Sequence, residues 1–261
     1  MPMADFVIRE CTTIDELDSC IRLQREVFGL PDLEISPRRH LIVSRQAGGW
    51  TLGAFVNERL VGFVHHMAAI RGNEIFGYSH VMAVDPDYQN QGVGARLKWS
   101  QRERAIQEGR SFIKWTWDPM QARNAHFNLN RLGVTVGAYA VNFYGTDYGA
   151  SPAPANLEAA GIDSDRLFAS WELDSPRVIR LANNSSPEPV PLKPAALIEI
   201  PANWSKLCRA DAVHARKEQL RVRSEFQQAL SAGLIAAGFE RSTEQPRYLL
   251  YPEEAWRSVQ Q

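Results

Sequence analysis

Apolar positions along the chain repeat with two periods, and the alternation between them lays out the elements. Phe6–Cys11 reads as a short strand. Ile14, Leu17, Ile21 and Phe28 then recur at helical steps, with Thr12 or Thr13 as a cap and Asp15 and Glu16 in the first turn. A second, shorter helix starts near Pro37, a residue suited to a first turn. Trp50–Val56 and Arg59–Ala69, parted by Asn57-Glu58, read as the arms of a hairpin. Phe76–Val84 is the next strand, and a polar turn carries it into a helix reaching about Glu108. Phe112–Trp117 is a strand closed by Asp118-Pro119, and Ala122–Arg131 is a helix ended by Gly133. Val134–Tyr144 and Arg166–Leu173 make a last strand pair, joined by a long Gly/Ala/Pro loop.

Asn183–Pro191 has the composition of a linker. After it the pattern predicts a strand at Leu197–Ile200, one long helix from a capping Asn203 to about Ser231, and strands at Leu234–Glu240 and Tyr248–Tyr251. The expected organisation is therefore an α/β domain over residues 1–175, a linker over 176–196, and a small β-α-β-β unit over 197–261.

Charge narrows the partners. The chain has 29 basic and 30 acidic residues, a formal balance of -1, so neither nucleic acid nor an anionic membrane is expected as the main ligand. No apolar run approaches the ~20 residues needed to span a bilayer. Met1-Pro2-Met3-Ala4-Asp5 does not read as a secretory signal. Cys11, Cys20 and Cys208 have no metal-type spacing, and a reduced, cytoplasmic setting is the simplest expectation.

The chemistry-bearing stretch runs from Val81-Met82-Ala83-Val84 through Asp85-Pro86 to Gln89-Asn90-Gln91-Gly92-Val93-Gly94 and a helix containing Leu97, Trp99 and Ile106. Glycines let backbone N–H groups approach a ligand, and the helix start adds unpaired N–H groups and the positive end of its dipole. Together they suit a pyrophosphate. The chain lacks a G-x-x-x-x-G-K-[ST] string, and Leu97 stands where a dinucleotide fingerprint needs its third glycine. The turn fits Q/R-x-x-G-x-G/A instead. It resembles the acetyl-CoA motif of the GNAT (GCN5-related) N-acyltransferase superfamily, and the order of elements over residues 6–175 is similar too. Strings such as Ser79-His80-Val81-Met82-Ala83-Val84 and Trp115-Thr116-Trp117-Asp118-Pro119 resemble a subgroup with an added C-terminal unit and no assigned substrate.

The resemblance implies a mixed, mostly antiparallel sheet with splayed central strands flanked by helices, the splay lying between Phe76–Val84 and Phe112–Trp117. It implies acetyl-CoA, or another acyl-CoA, as co-substrate. Gln89, Asn90, Gln91, Gly92, Val93 and Gly94 would bind its pyrophosphate. Met82, Ala83 and Val84 would offer backbone contacts to pantetheine and the oxyanion, and Asn124 matches an asparagine near pantetheine, though two residues closer to Gly133 than usual. Leu129 occupies the position where the family often places a tyrosine acid, and a leucine has no proton to give.

Acyl transfer to an amine needs a base, an oxyanion site and help for the leaving thiolate. His80 is the candidate base, as a neutral imidazole just before the turn; a structural histidine is the alternative. His65 and His66 face opposite sides of a strand, and Glu74, in the loop before Phe76–Val84, is either a base acting through water or, in the favoured reading, a solvated loop carboxylate. Tyr139 and Tyr144 are the candidate acids. Asp118 either binds the acceptor amine or, in the favoured reading, caps the next helix. Arg209, Arg216 and Arg223 recur every seven residues on the predicted long helix, as an anion pocket or, in the favoured reading, as a solvated face balanced by Glu218 and Glu225. Trp115 and Trp117 share one face, as a pocket wall or as core. The reading is a CoA-dependent N-acetyltransferase acting on a small-molecule or peptide amine, in a possible homodimer; a non-catalytic acyl-CoA binder is its rival.

Overall fold

The computed structural model describes residues 6–145, 162–183 and 191–259. These form two compact units that part inside one strand, between Lys114 and Trp115.

The first unit holds β1 (Val7–Glu10), α1 (Ile14–Phe28), α2 (Arg38–Gln46), β2 (Trp50–Val56), β3 (Arg59–Arg71), β4 (Glu74–Val84), α3 (Val93–Gln107) and the start of β5 (Phe112–Trp117). Its sheet runs β1-β2-β3-β4-β5, antiparallel except for β4 and β5. Helix α1 begins on a capping box. Thr13 Oγ1 accepts from Glu16 N–H, and the Glu16 carboxylate accepts from Thr13 N–H. Asn57 and Glu58 both take positive φ, 45° and 63°, the conformation whose twist suits a two-residue hairpin. Strands β2 and β3 feed two apolar cores, and a bulge at Val61 shifts the alternation of β3. Leu52, Ala54, Val61 and Val64 pack with Val93 and Leu97 of α3. Phe55 and Phe63 pack with Leu17, Cys20, Leu23 and Leu41 from α1 and α2.

The second unit holds the end of β5, α4 (Ala122–His126), a π-helical turn (Phe127–Arg131), β6 (Thr135–Ala140), β7 (Arg166–Glu172), α5 (Pro176–Ala182), β8 (Ala196–Glu199), α6 (Trp204–Ala210), α7 (Ala212–Ser231), β9 (Leu234–Glu240), β10 (Arg247–Pro252) and α8 (Glu253–Ser258). Strands β7-β6-β9-β10-β8 follow one another in its sheet. Its centre is aromatic: Tyr248 meets Phe226 and Phe239 edge-on, each at 5.0 Å between ring centroids.

Several expectations change here. The long C-terminal helix breaks at Asp211, whose carboxylate accepts from His214 N–H and caps α7 instead of continuing α6. Residues 176–182, expected as linker, form α5; residues 184–190 lie outside the described ones. Strand β6 stops at Ala140, so Tyr144 is not on it. Glu74 is on β4 and pairs with Lys114 Nζ at 2.7 Å. Val136 of β6 pairs with Ala236 of β9, so the C-terminal strands share a sheet with β6 and β7, and the compact division differs from the expected one near residue 175.

Candidate active site

The β4–α3 connection is built to leave donors open. Asp85, only 5% exposed, pairs with Arg59 at 2.7 Å and accepts from Asp87 N–H at 3.0 Å, which fixes the chain's exit from β4. Gln89 Nε2 donates to Val84 O at 3.0 Å and Gln91 Nε2 to Asp87 O at 2.7 Å, so both side chains brace the turn. Asn90 (φ 61°) and Gly92 (φ 84°) take left-handed conformations, easiest for asparagine and glycine. Gly92 caps α3 with no side chain. The first helical bond is Arg96 N–H to Gly92 O, so the N–H groups of Val93, Gly94 and Ala95 precede the helical ladder. A Cβ on Gly92 would meet nothing within 4 Å, and one on Gly94 only Met82 Cε and Val84 Cγ2 at 3.7 Å. The surroundings are open enough for a phosphate to reach these amides, and the donor set suits one.

Upstream, β4 pairs with β3 along Met82–Val84, but its rungs with β5 are Gly77↔Ile113 and Tyr78↔Lys114. Among the described residues of this unit, no strand pairs with the other edge of Met82–Val84. Between these segments the register slips: His65 faces Val81 and His66 faces Ser79, leaving His80 as the extra residue of a bulge. The bulge re-aims the His80 ring beside His40 and His65, at 5.1 and 6.1 Å between centroids, with His40 and His65 at 5.4 Å. His80 Nε2 lies 2.7 Å from Ser36 Oγ, and His65 Nδ1 lies 2.9 Å from Thr51 Oγ1. Desolvation by the surrounding protein and then the neighbouring His40 push the His80 pKa down to about 4, although the residue keeps an exposed part. It is therefore neutral at pH 7, the form that accepts a proton.

His65 and His66, both fully buried, do face opposite sides. His66 stacks on Trp50 at 4.1 Å and neighbours Gln101. Gln101 and Ser79 take hydrogen bonds from Lys98 Nζ, a buried ammonium whose pKa is pushed well below its usual value by desolvation.

The remaining candidates lie in the second unit. Trp117 is 4% exposed and donates from Nε1 to Tyr248 Oη, so its indole is core. Asp118 accepts from Met120 N–H and Gln121 Nε2 at 2.9 and 3.2 Å, which braces the Asp118-Pro119 turn; α4 starts after Gln121 with no side-chain cap, so Asp118 does not cap it as expected, and burial raises its pKa. Asn124 lies exposed on α4, and Leu129 is fully buried. Tyr144 Oη lies 3.3 Å from Thr116 Oγ1, with the Arg166 guanidinium 5.0 Å from its ring centre. Tyr139 donates to Asp165 and is held by that network. Arg216 donates to Asp163 and Gln219 at 2.7 and 2.8 Å, and Arg223 forks onto Asp165 and also reaches Asp163. Arg221, by contrast, pairs with Glu218 and Glu225 on its own helix. The break at Asp211 also takes Arg209 off the face that Arg216 and Arg223 share. Arg216 is thus matched by a carboxylate of its own chain.

A family model described as the acetyltransferase (GNAT) family matches residues 16–133. This chain carries a GNAT acetyltransferase domain. Among solved structures it is similar to the ribosomal-protein-S18-alanine N-acetyltransferase of Escherichia coli, at 15% identity and a TM-score of 0.50 over 65% of this chain and 94% of that one. It is similar also to a putative GNAT-family acetyltransferase of Desulfovibrio desulfuricans, at 15% identity and a TM-score of 0.51 over 65% of this chain and 99% of that one. Both likenesses are of fold. No curated protein matches the sequence. The GNAT match contains the glycine turn and the His80 bulge.

Sequence reasoning about the GNAT region missed Ser36, His40 and Gln24. Ser36 stands 44 positions from His80, and the bulge that brings them together leaves no mark in a strand's alternation. Among the described residues no group of three or more His, Cys, Asp or Glu side chains is placed to hold a metal ion. No described helix is long and apolar enough to cross a membrane.

Proposed function

We propose that this GNAT protein transfers an acetyl group from acetyl-CoA to the amine of a small molecule or peptide by direct attack on the thioester. The observation that supports this most is the open turn before α3, where the Val93, Gly94 and Ala95 amides point ahead of a glycine cap within the GNAT match. In this reading those amides take the pyrophosphate, and the unpaired edge of Met82–Val84 takes the pantetheine amides and the thioester oxygen. The amine nitrogen bonds to the acetyl carbon, its proton passes to His80, and the carbon–sulfur bond breaks as the thiolate departs. A CoA thiolate is a fair leaving group without a protein acid.

Calorimetric titration with acetyl-CoA, with NAD and ATP as controls, tests the turn. Binding of acetyl-CoA alone supports the reading, and no binding overturns it. Thiol release with a panel of amines then tests turnover. The burial of Leu129 at the usual tyrosine position motivates one rival, a non-catalytic acyl-CoA binder. Tight binding without thiol release on any amine would favour it.

A further inference from the structure

If His80 is the base, one of its two ring nitrogens takes the proton, and the other is held by the protein. Nε2 is committed, since it lies 2.7 Å from Ser36 Oγ. The contact with Ser36 is the side-chain hydrogen bond that the described residues give His80, and it is made by Nε2, not Nδ1. The Ser36 side is a built contact. Gln24, 2% exposed, reaches from α1 and pairs with the Ser36 backbone in both directions, its Oε1 accepting from Ser36 N–H at 3.1 Å and its Nε2 donating to Ser36 O at 3.4 Å. A buried amide spent on one loop residue fixes where that hydroxyl sits. Pro37 then caps the start of α2, which brings His40 against His80.

A ring nitrogen accepts a proton only if it carries a lone pair, and a neutral imidazole has one such nitrogen. The bond made by the other nitrogen selects which. On the reading of His80 as base, we infer that Ser36 is a positioning residue: its oxygen accepts the Nε2–H of His80, which leaves Nδ1 as the basic nitrogen. The rings facing His80 are His40 from α2 and His65 from β3. Both Nε2 atoms of those rings are buried without a hydrogen-bond partner among the described residues, so neither supplies a competing donor to Nδ1.

The opposite polarity is a distinct chemistry. If Ser36 donated to Nε2, the pair would be a nucleophile beside its base. Ser36 Oγ would then attack the thioester, its proton going to Nε2, the thiolate leaving and an acetyl-serine remaining.

Nitrogen-15 NMR of the histidine-labelled protein without ligand reads the tautomer directly. Nε2–H on His80 is the expected result, and Nδ1–H overturns the inference. Two variants carry the test into turnover. Ser36→Asp offers only acceptors at pH 7, so it should keep kcat within about tenfold of the parent and move the acid limb of the pH profile upward, as a carboxylate raises a histidine pKa. Ser36→Ala should lower kcat about 10- to 100-fold with little change in acetyl-CoA affinity. Loss of activity in Ser36→Asp as deep as in Ser36→Ala, or an acetyl adduct on Ser36 by mass spectrometry, overturns the inference. The NMR result needs no turnover, so a parent protein that fails to acetylate any amine counts against the proposed function while the tautomer is still decided.

Discussion

Two polar clusters in this molecule are built in opposite ways. In the second unit Arg223 and Arg216 meet Asp165 and Asp163, with Tyr139, Asn142 and Gln219 filling the remaining positions. Burial works against the Arg223 charge, but its bonds to Asp165 and Asp163 outweigh that and raise its pKa above the ordinary value. In the first unit His40, His65 and His80 crowd together with no carboxylate among their described contacts, and the pKa values of His65 and His80 are pushed down, to about 3 and about 4. A cluster whose members satisfy one another is explained by folding. One that leaves lone pairs over is a better candidate for chemistry, since structure alone does not account for it.

The strongest way to break the contrast is to remove His80. His80→Gln should lower kcat/KM about 10²- to 10⁴-fold, the share typical of a general base. Acetyl-CoA affinity and the urea midpoint should stay put. Thiol-release kinetics check this; turnover within a few-fold of the parent would move His80 to the structural side.

Arg223→Met makes the complementary cut. It leaves the Asp165 carboxylate, 1% exposed, without its forked partner. Breaking one half of a buried pair destabilises by about 3–5 kcal/mol. Urea denaturation should show that loss. A shift below about 1 kcal/mol would mean the network is ornamental, a surface-type pair.

How much of this could be seen in the chain beforehand depended on range. The hairpin of β2 and β3 announced itself through alternation and Asn57-Glu58, and the α3 turn through glycines close in sequence. The break at Asp211 was hidden because apolar positions continue across it, while one carboxylate quietly switches from helix interior to cap. The ionic cluster was half visible: Arg216 and Arg223 sit at a legible spacing, but Asp163 and Asp165 reach them from more than fifty positions away. The histidine cluster depends on a one-residue slip between β3 and β4, and periodicity carries no record of it.

Acid should separate the clusters next. Burial lowers the pKa values of His65 and His66 in the folded chain to about 3, against the ordinary histidine value of 6.5. Between those values the unfolded chain binds protons that the folded chain refuses. Their contribution is therefore complete above pH 6.5 and is lost as pH falls from 6.5 toward 3, at up to about 1.4 kcal/mol per pH unit for each ring. Urea unfolding at a series of pH values should show stability falling in that window. His65→Gln should flatten the slope by about half of what the two rings supply together; an unchanged slope would assign acid sensitivity elsewhere.

The smallest effect on the fold carries the same argument to the backbone. Gly94 lies in the first turn of α3, and an added Cβ would make only ordinary contacts, 3.7 Å from Met82 Cε and Val84 Cγ2. Packing within the protein therefore does not require glycine there. Gly94→Ala should leave the fold intact and stabilise it by about 0.5–1 kcal/mol, the usual penalty of a helical glycine removed. If the turn works as a phosphate site, the same methyl stands where a pyrophosphate oxygen must approach, and acetyl-CoA affinity should fall about tenfold, or 1.4 kcal/mol. Thermal unfolding and calorimetry on one preparation read both changes. A glycine that costs stability and is repaid in affinity belongs with the histidines, among the parts that folding alone does not explain. If stability rises and affinity is untouched, the open turn is only a turn.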